Sequence, residues 1–502
     1  MKSISALTFF LMLVFSVLLS STQAWAESIS EHLHNQASDA DLAIAPSADE
    51  IHSHSPRKID ELWVGIDQES YFNRAHPPVG ITDYTFLSGR MRTRSEDHLI
   101  NGAIDVGGSF ATSIENYSFI ELPEAYFNWM NEEKNVELSV GRRRELWSAL
   151  DEAWGFGLWQ PVNRFDALHP TEQGLSGVFA SWGNDVLTFT GFASLLFIPE
   201  QGSTFVVSNG NFVTHNAWFS KPPSSVDLFP GRPTSRLNFE LQSPSTGSVI
   251  NQPSLGLLMQ VGPKRRNDLG AYLRAAFIRK PRNQLTTPVE TTYILADNEN
   301  YGDVVIYPRV EFQRLEALEF GYRTQTYATG FSALRDEPEN QGVPRDSTGD
   351  SSRMSYQTLS SALYLSPYVE WRALSSESWG PRLRIMLLDT EGGTTQAQGL
   401  LSSSSSLFGY RVPYRRALSF QEDSMLWSRG SWRLDQRLRW IEETIEKGTV
   451  LMVDARLSYT DSWRFAIAAD ILGSRQPDSD TSTFIARFRG NGNVSGHLTY
   501  IF

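Results

Sequence analysis

Val494-Ser495-Gly496-His497-Leu498-Thr499-Tyr500-Ile501-Phe502 closes the chain on an alternating stretch with an aromatic last residue. Val494, Gly496, Leu498, Tyr500 and Phe502 fall on one face of an extended segment, and Ser495, His497 and Thr499 share the other. The same period of two recurs upstream almost without pause. In Thr449 to Tyr459, Leu451, Val453, Ala455, Leu457 and Tyr459 oppose Asp454, Arg456 and Ser458. In Trp432 to Trp440, Trp432, Leu434, Leu438 and Trp440 oppose Arg433, Asp435, Arg437 and Arg439. Leu363, Leu365, Val369 and Trp371 oppose Tyr364, Ser366, Tyr368 and Glu370. No helical periodicity of comparable length competes.

Aromatic residues sit near the ends of these segments: Trp129, Trp371, Trp432, Trp440, Tyr459, Trp463, Tyr500 and Phe502. A soluble sandwich would bury one face of each strand against a second sheet and has no reason to place aromatics at strand ends. A transmembrane barrel does, because such residues settle at the two lipid–water interfaces. The pattern therefore predicts an all-β chain forming a single antiparallel transmembrane β-barrel over residues 58–502. Mean hydropathy of −0.30 is compatible with this, since lumen and loop residues dilute those facing lipid.

Residues 1–26 read as a secretory signal: Lys2, an apolar run from Leu7 to Leu19, then Ala24-Trp25-Ala26 as a small-x-small cleavage site. Residues 27–57 are polar and lack apolar periodicity, and they read as a disordered periplasmic segment able to recruit a periplasmic protein partner. His32, His34, His52 and His54 lie there, and a solvated linker is favoured over a metal-capturing tail because nothing fixes their geometry. The absence of cysteine excludes disulfides and thiolate metal sites. A net charge of −13 argues against a nucleic-acid partner. The location implied is the outer membrane of a Gram-negative bacterium, after cleavage near Ala26, with membrane lipid as the surrounding partner.

Nineteen segments qualify as strands, from 58–72 and 84–95 through 303–314, 315–328 and 355–371 to 463–473, 481–490 and 493–502. A single-chain barrel with both ends on one side needs an even number. Long loops at 146–173, 199–253, 281–300, 329–354 and 390–412 are each separated by two strands, which places them all on one side. Continuing that count leaves 481–490 as the surplus, a loop segment rather than a spanning strand. Eighteen strands are expected, with sixteen as the alternative.

Faces opposite the apolar ones should line the interior. The expected pore-lining set is Glu124, Tyr126, Arg143, Arg309, Glu311, Arg323, Arg433, Asp435, Arg437, Arg439, Asp454, Arg456 and Arg464. A ladder of Arg433, Arg437 and Arg439 facing Arg456 and Arg464 would concentrate anions. The competing reading pairs those arginines with Asp435, Asp454 and Asp470 as a structural network. The long 199–253 loop is expected to fold inward or cap the mouth and narrow the pore. Gly155 and Gly157 lack a strand–glycine–helix context and read as an aromatic-glycine loop at the rim. His497 lies on the inner face of the last strand, but no nucleophile motif accompanies it or the other histidines. No catalytic residue, metal or cofactor is assigned.

The segment from Glu121 onward runs Leu122-Pro123-Glu124-Ala125-Tyr126-Phe127, Val140-Gly141-Arg142-Arg143, Trp147, Asp151, Pro161, Asp166 and Leu196-Phe197-Ile198-Pro199. It resembles the Glu-Ala-Tyr … Gly-Arg-Gln … Trp-Gly … Asp … Asn-Pro-x-Asp stretch of porin-like outer-membrane barrels, including the alginate-export type. The terminal Phe502 is similar to theirs. Arg143 stands where Gln is usual, and Ser148 follows Trp147 where Gly is common. The resemblance implies that Glu124, Tyr126 and Arg143 face the lumen; it does not carry alginate across as a substrate. The function expected is a channel for small hydrophilic solutes with a preference for anions. The alternatives are a docking barrel of an export, secretion or motility machine and, less favoured, a barrel hydrolase. The residues specify no oligomeric state.

Overall fold

The computed structural model describes residues 58–71, 83–96, 100–112, 118–133, 135–219, 222, 227–229, 232–263, 269–295, 300–340, 354–373, 381–398, 412–460, 462–477 and 483–502. The expected signal and polar segment, 1–57, lie outside them. Eighteen strands form one closed antiparallel ring. In chain order they are β1 Lys58–Tyr71, β2 Asp83–Glu96, β3 Ile100–Ala111, β4 Ser118–Met130, β5 Val136–Arg143 and β6 Leu175–Gly183. There follow β7 Leu187–Ser194, β8 Ser254–Val261, β9 Gly270–Pro281, β10 Phe312–Arg323, β11 Tyr327–Glu339 and β12 Ala362–Arg372. The last are β13 Arg382–Gly392, β14 Arg416–Arg429, β15 Trp432–Glu443, β16 Gly448–Tyr459, β17 Trp463–Ser474 and β18 Asn493–Ile501. β18 closes the ring on β1, with His497 opposite Asp67 and Ile501 opposite Trp63. Each strand meets its chain neighbour, so no edge is left open.

The outward face is an apolar band that runs round the ring, including Ile66, Leu87, Ile120, Val140, Leu257, Phe320, Val369 and Ile467, all exposed. Aromatics concentrate at one rim. Trp432 packs on Tyr459 at 4.5 Å, Trp463 on Tyr500 at 4.9 Å, Tyr500 on Phe502 at 4.9 Å, and Tyr322 near Tyr327 at 6.4 Å. Trp129 and Trp371 end β4 and β12 at that same rim, whereas Trp440 lies towards the other end of β15. This rim carries the short connections, such as 184–186, 324–326, 430–431 and 460–462. The opposite rim carries 144–174, 195–253, 282–311, 340–361, 393–415 and 475–492. No helix among the described residues is long and apolar enough to cross a membrane. The architecture is a single closed antiparallel β-barrel with an apolar outer face, the porin-like fold expected.

The expected 481–490 surplus is a short helix, Phe484–Phe488, in the last long connection. Two other expectations are corrected. The candidate strand 303–314 is not a barrel strand: Asn300–Ile306 belongs to a separate small sheet, and β10 begins only at Phe312. Conversely, β11 spans Tyr327–Glu339, much of it expected as the 329–354 loop. The two errors cancel, so both the count of eighteen and the sidedness of the loops stand. β11 escaped because its far end leaves the apolar band. Outward-facing Arg335 meets Glu316 at 3.6 Å and Glu337 at 3.5 Å, and Glu339 is held by Arg279 and Arg314 at 2.6 and 2.9 Å. The wall there projects beyond the band as charged hairpins, so polar residues stand on both faces.

Above the long-loop rim, segments of four loops join in a five-stranded sheet: Arg236–Leu241, Asn300–Ile306, Val289–Leu295, Met354–Leu359 and Thr395–Gln398. Arg236–Leu241 runs parallel to Asn300–Ile306. Phe212, Phe219, Leu237, Phe239, Val289, Val304 and Ile306 form a core beneath it.

Candidate functional site

The 144–174 connection enters the bore. Ser148 caps a helix, α1 Ala149–Trp154, accepting the Asp151 N–H, and Gly155 closes it at φ 63°, a left-handed conformation that suits glycine. Gly157, at φ 67°, turns the chain again, and a Cβ there would meet Val162 at 2.8 Å. Between and beside these turns the side chains of Trp147, Leu150, Trp154, Phe156, Leu158 and Trp159 are buried.

Their contacts lie on strands from opposite sides of the ring. Trp147 stacks on Trp159 at 5.7 Å and meets Phe192 of β7 edge-on at 6.2 Å. The Ala149 N–H donates to Glu319 of β10. Trp154 Nε1 donates to Ser366 Oγ of β12 at 3.0 Å, and Arg439 of β15 donates to the Ala153 carbonyl at 2.8 Å. Eighteen strands spaced ~4.8 Å apart and tilted ~40° enclose a backbone ring about 35 Å across. A segment touching β7, β10, β12 and β15 therefore crosses the lumen as a plug. Trp154-Gly155-Phe156-Gly157 lies inside the barrel, not at its rim as expected. The inner wall it meets is apolar: Ile278, Leu315, Leu334, Tyr364, Leu388, Ile441 and Val450. These residues sit in the long-loop half of their strands, so that half of the bore holds the plug.

The 195–253 connection covers it, as expected of a cap. Tyr84 of β2 donates to the His215 carbonyl at 3.0 Å, and Asn216 donates to the Phe165 carbonyl at 2.9 Å. Trp218 stacks on Phe484 at 6.4 Å.

Asp151 anchors the plug turn. Its carboxylate accepts the N–H groups of Leu158 and Trp159, each at 2.9 Å. Burial raises its pKa to about 6, against those two bonds and the nearby charges of Lys280 and Arg164, which lower it. A carboxyl raised from 3.8 favours the docked loop most at low pH, and this contribution is lost as pH rises through 6. Amide protection of residues 147–159 in hydrogen exchange should accordingly fall between about pH 4 and 6 and level off above. A flat profile would contradict this. Asp151→Ala removes both acceptors and should cost about 2–3 kcal/mol of docking, while Asp151→Asn keeps one acceptor and should cost clearly less.

Strand alternation from these plug contacts places Glu124, Tyr126, Arg143, Arg323, Arg433, Asp435, Arg437, Arg439, Asp454, Arg456 and Arg464 on the inner wall. Arg309 and Glu311 are not on it: they lie in the 282–311 connection, paired at 2.6 Å, with Arg282 also 3.5 Å from Glu311. The arginine ladder is a checkerboard rather than a facing row. Arg437 lies opposite Asp454, Asp435 opposite Arg456, and Arg433 opposite Ser458. Arg433 pairs with Asp435 at 2.9 Å, Arg437 with Asp423 at 2.7 Å, and Arg464 with Glu61 at 3.1 Å. Arg372 and Arg382 both hold Glu370, at 2.8 and 2.9 Å. On the inward face of β12 to β16 arginine still outnumbers carboxylate, seven to five, and Arg382 and Arg437 remain about two-fifths exposed to the lumen.

On the other wall carboxylates outnumber the arginines they hold. Asp105 of β3 is fully buried and receives two bonds from Arg90, at 2.6 and 2.8 Å, and two from Arg92, at 3.3 and 3.2 Å. Arg144, the first residue of the plug connection, lies 3.5 Å from it and 3.0 Å from Glu124. β4 meets this cluster through a bulge at Leu122-Pro123, where proline removes no ladder bond. Arg143 pairs with Glu137 at 2.6 Å and lies over the Tyr126 ring at 5.7 Å.

Alternation alone missed the surroundings of His497. Ser495 Oγ is 3.0 Å from Nε2, and Asp67 of β1 is 2.9 Å from Nδ1. The Ser-x-His spacing was readable; Asp67 comes from the far end of the chain through ring closure. The order nucleophile–base–acid is present, but the Ser495 N–H belongs to the ladder, and Glu69 stands opposite it. A carboxylate facing the serine opposes a developing oxyanion.

No family model and no curated protein matches the sequence. Among solved structures, the chain is similar to Wzi, an outer-membrane protein involved in group 1 capsule assembly in Escherichia coli and described as a carbohydrate-binding β-barrel. The identity is 11%, the TM-score 0.41, and the match covers 88% of this chain and 84% of that one. A triple mutant of Rhodopseudomonas blastica porin is 8% identical at a TM-score of 0.36, covering 88% of this chain and 99% of the porin. At these scores the comparisons carry no functional argument, and the barrel assignment rests on the strand ring itself.

Proposed function

We propose that this chain is an outer-membrane channel for small hydrophilic solutes, favouring anions, exported with cleavage near Ala26. Solutes pass the 144–174 plug in the long-loop half of the bore and the charged wall in the other half. The observation that carries the reading is the arc of lumen-exposed arginine on β12 to β16, in the half of the bore that the plug leaves open. Charged walls of one prevailing sign raise the local concentration of counter-ions. Transport of this kind needs no catalytic step.

The test is ion selectivity in planar bilayers. Reversing Arg382, Arg437 and Arg464 to Glu should shift the anion-to-cation permeability ratio towards cations by about an order of magnitude. Arg439 is left intact because it holds the plug. An unshifted reversal potential would return these arginines to a purely structural network.

One observation favours a second reading. The apolar plug and the four-loop sheet stacked over it also suit a docking barrel whose 27–57 segment recruits a periplasmic protein. Absence of conductance in the purified protein, with an envelope protein co-purifying through that segment, would favour it.

A further inference from the structure

Where β17 and β1 flank β18, the inner wall is rich in carboxylate and carries imidazole. His169, in the plug connection, places Nε2 2.9 Å from Asp470 Oδ2 of β17. Asp166 sits on the same turn, accepting the N–H groups of Leu168 at 2.8 Å and His169 at 3.4 Å. One ligating atom from each of Asp166, His169 and Asp470 lies within 4.8 Å of the other two. Glu69 of β1 is close enough to act electrostatically on His169. The His169 imidazole thus faces the carboxylates of Asp166 and Asp470.

Asp470 supplies the second observation. Only 3% exposed, it leaves its other oxygen, Oδ1, with no hydrogen-bond partner. A buried carboxylate oxygen without a partner costs about 1–3 kcal/mol or more, so a native one calls for an explanation.

We propose that Asp166, His169 and Asp470 form a binding site for a first-row divalent cation such as Zn²⁺. Mixed imidazole and carboxylate donors suit zinc-like ions better than Mg²⁺ or Ca²⁺, which prefer oxygen alone. At ligand distances of ~2.0–2.2 Å, donors around such an ion stand ~3–4 Å apart, so the observed cluster needs to contract only slightly. Binding displaces the proton of His169, replaces its bond to Asp470 with two coordinate bonds, and gives the orphaned oxygen a partner. It also ties the plug to β17, a point of attachment separate from the β7, β10, β12 and β15 contacts. The proposal does not depend on the channel reading.

The test is calorimetric titration of the full chain in detergent with ZnCl₂ and, separately, MgCl₂. His32, His34, His52 and His54 are changed to Gln beforehand so that the N-terminal segment does not compete. One equivalent of Zn²⁺ should bind, with Mg²⁺ at least tenfold weaker. Asp470→Asn and His169→Gln should each weaken Zn²⁺ binding at least tenfold, while Ser495→Ala should leave it unchanged. Folding of each variant is checked by the heat-dependent gel shift of the barrel. Absence of a Zn²⁺ equivalent, or wild-type binding in both folded ligand variants, overturns the proposal.

Discussion

Replacing residues 147–171 with a short Gly-Ser bridge is expected to raise single-channel conductance at least severalfold. The deletion is feasible because the ends of the connection already meet: Arg143 pairs with Leu175 across the β5–β6 ladder. What it removes is the only described segment that contacts β7, β10, β12 and β15 together. The bore of a ring about 35 Å across is wide enough for water once its contents are gone. Trp154→Ala with Phe156→Ala is the milder version. Each buried aromatic covers roughly 150–250 Å², about 4–6 kcal/mol at ~25 cal/mol per Å². Losing two should undock the turn intermittently, giving flickering rather than a uniformly larger current. Unchanged conductance in both would mean that solutes do not pass the plug at all, or that the cap above it sets the resistance. Removing residues 205–248 separates those outcomes: conductance rises only if the cap is limiting.

Asp105→Ala should be the most damaging single change in the barrel wall. It strands Arg90, Arg92 and Arg144, whose guanidinium groups converge on a fully buried carboxylate. Removing one partner of a buried ionic cluster typically costs ~3–5 kcal/mol. Here the lower end applies, about 3 kcal/mol, because Glu121 lies 3.8 Å from Arg90, Glu61 3.9 Å from Arg92 and Glu124 3.0 Å from Arg144. The readout is the urea midpoint of the gel-shifted barrel. Arg144 roots the plug, so amide protection in 147–159 should fall in the same variant. A midpoint indistinguishable from the parent chain would show that the neighbouring carboxylates absorb the change.

How far the barrel could be read in advance differs by region. β15 to β17 were plain because both of their faces are chemically pure: Leu451, Val453 and Leu457 outward, Asp454 and Arg456 inward. β11 was missed where Arg335 and Glu337 point outward above the apolar band, which erases the contrast that alternation needs. The segment 303–314 alternates convincingly, but its first half pairs with Arg236–Leu241 in the loop sheet instead of the wall. Of the expected pore-lining residues, Arg309 and Glu311 failed for that reason alone. The plug left a weaker trace: α1 is six residues long, too short to show a helical period.

Alternation is a property of adjacent residues, so the chain by itself determined which side chains face lipid, the closed even ring and the crowding of long loops on one rim. Whether the lumen is empty, and which charge meets which, is not a local property. It depends on register between strands and on where a loop comes to rest whose hydrogen-bond partners on the wall lie 170 to 286 positions away. Asp470 meets His169 across 301 positions, and Asp67 meets His497 across 430. Contacts at that separation exist only once the ring has closed and the plug has docked. For that reason the tertiary structure alone turned an expected arginine ladder into a checkerboard and an expected rim loop into the content of the bore.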